Sequence, residues 1–174
     1  VGHTSTSIAL AVGMAEARDL KDPKGNENVV AVIGDGSLSG GLAFEGLNNA
    51  AKLHSNLIIV VNDNNMSIDH NQGGFYKGLK ELRDTEGKSA NNIFKFMGLD
   101  YRYVPDGNDL EAMINVFKDV KDIDHPIVLH VHTLKGAGYQ PAIDNEMEYH
   151  WRGPFNGQTG ESTTPTPKES YSAA

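Results

Sequence analysis

The sequence predicts an α/β fold: a doubly wound, mostly parallel sheet with helices on both faces. Three observations predict it. Val29, Val30, Val32 and Ile33 form a β-branched apolar run that stops at Gly34-Asp35-Gly36. A second apolar run, Leu57-Ile58-Ile59-Val60-Val61, stops at Asn62-Asp63-Asn64. Between them, residues 38–53 read as a helix rich in small residues. Two continuous apolar runs joined by a helix indicate a parallel strand–helix–strand unit, with both strands buried on both faces. Ligands of such sheets gather beyond the carboxyl ends of the strands. Here both strands end in oxygen-bearing side chains, and the helix starts at the same edge. Hard oxygen ligands suit Mg²⁺ or Ca²⁺, and a helix start suits phosphate. A metal-bridged diphosphate is the ligand this stretch could hold.

The other elements follow in order. Gly2-His3-Thr4-Ser5-Thr6-Ser7 supplies hydroxyl caps for a helix running to about residue 20. Its body (Ile8, Ala9, Leu10, Ala11, Val12, Met14) is apolar nearly all round, so burial is expected. A charged, turn-rich loop over residues 21–28 leads to the first strand. After Asn64, a loop through Gly73-Gly74 precedes a short amphipathic helix carrying Phe75, Tyr76, Leu79 and Leu82. Residues 101–104 read as a strand. The turn Asp106-Gly107-Asn108 then opens a helix with Leu110, Met113, Ile114, Phe117 and Val120 on one stripe, and Asn108 with Glu111 suggests a capping box. Residues 126–132 form the next buried strand. His130 and His132 share a face of it at period two, but no third ligand stands nearby, so they read as structural. From Gly157 the composition turns to Gly, Thr, Ser and Pro, which marks a linker or tail over residues 157–174 after a domain spanning residues 1–156.

Composition narrows the function classes. At 174 residues there is room for one domain with a real core. The net charge is −8 and the 15 Lys and Arg are scattered, which argues against nucleic acid or an anionic membrane as partner. With no cysteine there is no disulfide framework, thiolate zinc site or cysteine nucleophile. No apolar run approaches a membrane span. A cytoplasmic address is expected. The chain begins at Val1, inside a motif, and reads as a fragment of a longer polypeptide.

Two common phosphate motifs are absent. The dinucleotide fingerprint would need glycine at position 39, where Ser39 stands, and no P-loop pattern occurs. What remains is Gly34-Asp35-Gly36, a helix, a strand and Asn62-Asp63-Asn64, with Asp35 and Asn64 29 positions apart. An ordinary strand–turn–helix with capping Asp and Asn would explain the first triplet alone. The second triplet, at the matching strand end, favours the metal reading.

This pattern resembles the thiamine-diphosphate motif of the transketolase superfamily. More closely, it is similar to the 1-deoxy-D-xylulose-5-phosphate synthases. The opening resembles that family's GHSSTS segment and the helix after it, with Thr4 in place of a serine. The loop from Thr133 to Pro141 resembles its TKKGKGYxPAE, and Tyr149-His150-Trp151 before Pro154-Phe155 resembles its FHxxxPFD. The resemblance implies that Asp35, Asn64 and the Met66 carbonyl hold Mg²⁺ on the diphosphate. It implies that Gly2, His3, Thr4, Gly36, Ser37, Asn64 and Tyr139 contact thiamine diphosphate. It marks His3 and His150 as candidates for proton transfer or substrate contact. A helix cap with an incidental histidine, and a solvated loop histidine, are the competing readings of those two.

The implied activity condenses pyruvate with D-glyceraldehyde 3-phosphate, with loss of CO₂, for isoprenoid precursor and thiamine biosynthesis. The implied partner is the pyrimidine-binding domain of the same or another chain, in a homodimer. One departure is clear. Between residues 69 and 92 the chain is much shorter than the family, which normally has a long segment there. A transketolase, a two-oxo-acid dehydrogenase component, a non-catalytic diphosphate-binding module and a structural interaction domain are the alternatives.

Overall fold

The structure, a computed structural model, describes residues 2–22 and 27–164. Four strands form one all-parallel sheet: β1 (Val30–Gly34), β2 (Leu57–Asp63), β3 (Asp100–Val104) and β4 (Pro126–His132), in the order β1-β2-β4-β3. Six helices accompany them: α1 (Ser7–Lys21), α2 (Asp35–Leu38), α3 (Gly41–Ala50), α4 (Gly74–Asp84), α5 (Ile93–Phe96) and α6 (Leu110–Val120). Leu57, Ile59, Val61 and Val128 face a core shared with Ile8, Ala15, Leu47, Leu79 and Phe94. Ile58, Val60, Leu129 and Val131 face the other way, onto Val116 and Val120 of α6. The sheet is therefore doubly wound, as expected.

Five local expectations need correction. β1 is buried on one face only: Val30 and Val32 are 45% and 62% exposed, because α6 covers β2, β4 and β3 but not β1. α1 buries Ile8, Ala11 and Ala15 yet leaves Leu10 and Met14 outside, so it is one-sided rather than buried all round. The helix expected over residues 38–53 is two helices broken at Ser39-Gly40. Ser5 packs into the break: its hydroxyl donates to the Ser37 carbonyl at 2.6 Å and fills the space a Cβ at Gly40 would need. The cap of α6 is Asp109, whose side chain accepts from the Ala112 N–H at 2.8 Å. Asn108 instead accepts from the Leu134 N–H at 2.7 Å, tying the turn to the exit of β4. The apolar stripe of α6 is correspondingly narrower, with Leu110 and Ile114 exposed.

α1 and α3 cross closely because Gly46 lies against the backbone of Ala9; a Cβ there would come within 2.9 Å. Residues 135–164 belong to a second compact unit. It holds α7 (Gln140–Asp144) and α8 (Glu146–His150), and Phe155 pairs with Ser162 in a short bridge. Tyr139, Tyr149 and Phe155 pack edge-on or tilted, and the Arg152 guanidinium lies 4.5 Å from the Tyr149 ring centre. Of the expected tail, residues 165–174 lie outside the described residues.

Candidate functional site

Parallel pairing of Gly34 with Asn62 puts the ends of β1 and β2 side by side. The sheet edge therefore collects Asp35, first residue of α2, and the loop after β2. Asp35 is 2% exposed. Its carboxylate accepts from its neighbour's Gly36 N–H at 2.9 Å and from the Asn71 carboxamide at 2.6 Å. It also lies against the carboxyl of Asp63. Burial, and then the charge of Asp63, push its pKa from the ordinary 3.8 up to about 6.

The loop is folded by its own side chains. Asn64 accepts from the Met66 N–H at 3.2 Å, and Asp63 accepts from the Asn65 N–H at 3.0 Å. Asn65 sits in the left-handed region at φ 63°, where Asn is among the few tolerant side chains. Met66 bridges to His70, which turns the loop back so that Asn71 reaches Asp35. Tyr76 of α4 donates to the Gly36 carbonyl at 3.3 Å. Asp35, Asn64 and Met66 are thus parts of one loop cluster.

A cleft of about 350 Å³ opens beside it, lined by Gly2, His3, Thr4, Val32, Gly34 and Ser37 among others. The Thr4 hydroxyl is hydrogen-bonded to that of Ser37. The opening motif therefore lies at the carboxyl end of β1, and it brings Gly2, His3 and Thr4 to the same edge as Gly36 and Ser37. Tyr139 and His150 belong to the second unit. There His150 receives a hydrogen bond from the Lys135 ammonium at 2.8 Å, and Tyr139 packs on Tyr149 and Phe155.

The sequence reading passed over the buried network behind the edge. Asp63, fully buried, receives bonds on one oxygen from Arg83 at 2.5 Å and from His130 Nε2 at 2.7 Å. The other ring nitrogen of His130 meets the Tyr101 hydroxyl at 2.8 Å. Burial keeps that phenol protonated, its pKa raised further by Tyr103 and Asp63, so it donates to Nδ1. With Nδ1 accepting from Tyr101, Nε2 donates its hydrogen to Asp63. Burial disfavours the charge on Asp63, but the bonds from His130 and Arg83 outweigh it and hold that carboxyl well below the usual range. His130 is fully buried and held between Asp63 and Tyr101.

The sequence model of the family described as 1-deoxy-D-xylulose-5-phosphate synthase matches residues 1–92 and 85–133, well over half of the chain. The chain belongs to this family. Synthases of that name from Clostridium beijerinckii, Porphyromonas gingivalis and Geobacter sulfurreducens are 39%, 41% and 38% identical to it over 208, 197 and 202 residues. These alignments cover 99%, 92% and 95% of the chain but 33%, 31% and 31% of the relatives. The chain thus spans about a third of the length of the curated relatives it matches. The two stretches matched to the synthase family overlap at residues 85–92, inside the segment expected from the sequence to be short. In the fold, that segment is α4 and the turn after it, which carry Tyr76 and Arg83 to the site. No helix among the described residues is long and apolar enough to cross a membrane.

Proposed function

We propose that this chain is the diphosphate-side domain of a thiamine-diphosphate-dependent synthase that condenses pyruvate with D-glyceraldehyde 3-phosphate, with loss of CO₂. The observation that carries the reading is the state of Asp35. It is a buried carboxylate pressed against a second one, and no Lys or Arg among the described residues pairs with it. Such a group fits a divalent cation, which relieves the repulsion. Asn64 and the Met66 carbonyl add neutral hard oxygens, as Mg²⁺ prefers. Gly36 and Ser37 border the place for the diphosphate, and Gly2, His3 and Thr4 line the adjoining cleft.

When bound, thiamine diphosphate supplies the carbon nucleophile and the electron sink that decarboxylation and carbon–carbon bond formation require. The chain's residues bind and orient. Asp35 and Asn64 would hold the cation that neutralises the diphosphate end. His3 holds or moves a proton at a substrate oxygen facing the cleft. His150, bonded to Lys135, serves proton transfer or contact with the substrate phosphate, and Tyr139 adds a ring against the cofactor. Partners for the exposed Val32 and Met14 would be a pyrimidine-binding domain and a second subunit of a cytoplasmic homodimer. The 174-residue chain by itself is then expected to lack turnover.

The test is product formation by the intact protein from pyruvate and glyceraldehyde 3-phosphate, against ketose donors, with Mg²⁺ and thiamine diphosphate. Deoxyxylulose phosphate is the expected product. Turnover of ketose donors alone would assign the chain to a transketolase reaction, and deoxyxylulose phosphate from the 174-residue chain alone would refute the need for a partner domain.

A further inference from the structure

Arg83 stands outside the proposed ligand set but holds the loop that carries two of its members. It reaches the loop from the last turn of α4, with its side chain 11% exposed. One guanidinium nitrogen lies 2.5 Å from Asp63 Oδ2, and another donates to Asn65 Oδ1 at 2.9 Å. Its two contacts therefore flank Asn64. Asp63 adds its own grip on the Asn65 N–H at 3.0 Å, so both ends of the left-handed turn are tied to one rigid group. The planar fork presents two nitrogens at a fixed spacing to these two acceptors, whereas an ammonium offers its donors from one compact centre on a flexible stem. Both nitrogens are already engaged with the loop, so the group is placed to shape the backbone rather than to meet a phosphate.

We propose that Arg83 is a positioning residue for the divalent cation: its clamp on Asp63 and Asn65 sets the turn that carries Asn64 and the Met66 carbonyl. This rests on the metal reading of the site given above. Positioning and simple charge balance make opposite predictions. If Arg83 only neutralised Asp63, Arg83→Lys would leave the site unchanged. A clamp demands the two-point geometry of the fork, which the single nitrogen of lysine does not reproduce. Outer partners of metal ligands are typically worth 10–100-fold in metal affinity.

The test is calorimetric titration of Mg²⁺, and separately Ca²⁺, into the intact protein with saturating thiamine diphosphate. In Arg83→Lys, Mg²⁺ affinity is expected to fall about 10-fold or more, while Ca²⁺, tolerant of irregular cages, loses less. That change in the Mg²⁺-to-Ca²⁺ ratio is a readout that a loss of stability alone would not move. Asn65→Gly guards against misfolding, since glycine keeps the positive φ and only the bridge is lost. It should shift the same ratio. Wild-type Mg²⁺ binding with an unchanged ratio in both variants overturns the role of Arg83 alone. Absence of Mg²⁺ binding by the wild type overturns the metal reading, and the clamp with it.

Discussion

Asp35→Asn is expected to abolish Mg²⁺-dependent cofactor binding and, at the same time, to raise the melting temperature of the metal-free protein. The folded-state pKa of Asp35 is about 6 against an ordinary 3.8, with burial the largest cause and Asp63 the next. A raised pKa means that the folded chain holds the proton more tightly than the unfolded one. The stability associated with it is fully present below about pH 4 and is lost as pH rises through about 6. Near neutral pH the ionised group therefore weakens the metal-free fold by about 3 kcal/mol, from roughly 1.4 kcal/mol per pKa unit. Asparagine carries no charge but surrenders one acceptor, to either Gly36 or Asn71, at about 1 kcal/mol. The net gain of about 2 kcal/mol corresponds to roughly 4–8 °C for a chain of this size. Thermal scans of the metal-free protein at pH 5 and pH 7 check the sign. Wild type should melt higher at pH 5 on account of this group, and Asp35→Asn should lose that part of the difference. A variant that melts lower at pH 7 would show that the buried carboxylate is not under the strain described.

Asp63→Ala is expected to destabilise the fold by about 3–5 kcal/mol, the usual result of removing one partner of a buried ion pair. The Arg83 guanidinium and His130 Nε2 would both lose their acceptor, in a place shielded by Phe94, Tyr101 and Tyr103. The exposed pairs Lys80–Asp84 and Lys88–Glu86 provide the contrast. Breaking either should cost far less, because solvent already screens both charges. Urea unfolding of the three variants ranks these effects, and an Asp63→Ala cost as small as theirs would contradict the network. Domains have about 5–15 kcal/mol in total, so this variant is also expected to accumulate poorly in cells.

The sheet and the edge that collects Asp35 and Asn64 were legible in the sequence because each rests on local signals. The runs at β1 and β2 are continuous and apolar, and the triplets that end them carry their oxygens in view. The Asp63 network was not legible. Its carboxylate is central to the Asn62-Asp63-Asn64 triplet, and an aspartate ending so apolar a strand was the available signal. Its partners, however, come from 20 and 67 positions away, and only the β2–β4–β3 register and the placement of α4 bring them together. The open face of β1 escaped notice for a similar reason. A valine run shows that a strand is apolar, whereas which faces are covered depends on where α6 lands. The break between α2 and α3 receives a contact from Ser5, 32 residues from its acceptor.

The central claim is that the carboxyl edge of this sheet holds thiamine diphosphate through a divalent cation. Isothermal calorimetry of the intact protein with thiamine diphosphate, with and without Mg²⁺, tests it most directly, with Asn64→Ala as the matched control. Binding should require Mg²⁺, disappear with a chelator, and weaken at least 10-fold in the control while its melting curve stays close to wild type. Cofactor binding of equal strength in the presence of chelator, or an unaltered affinity in Asn64→Ala, would contradict the account.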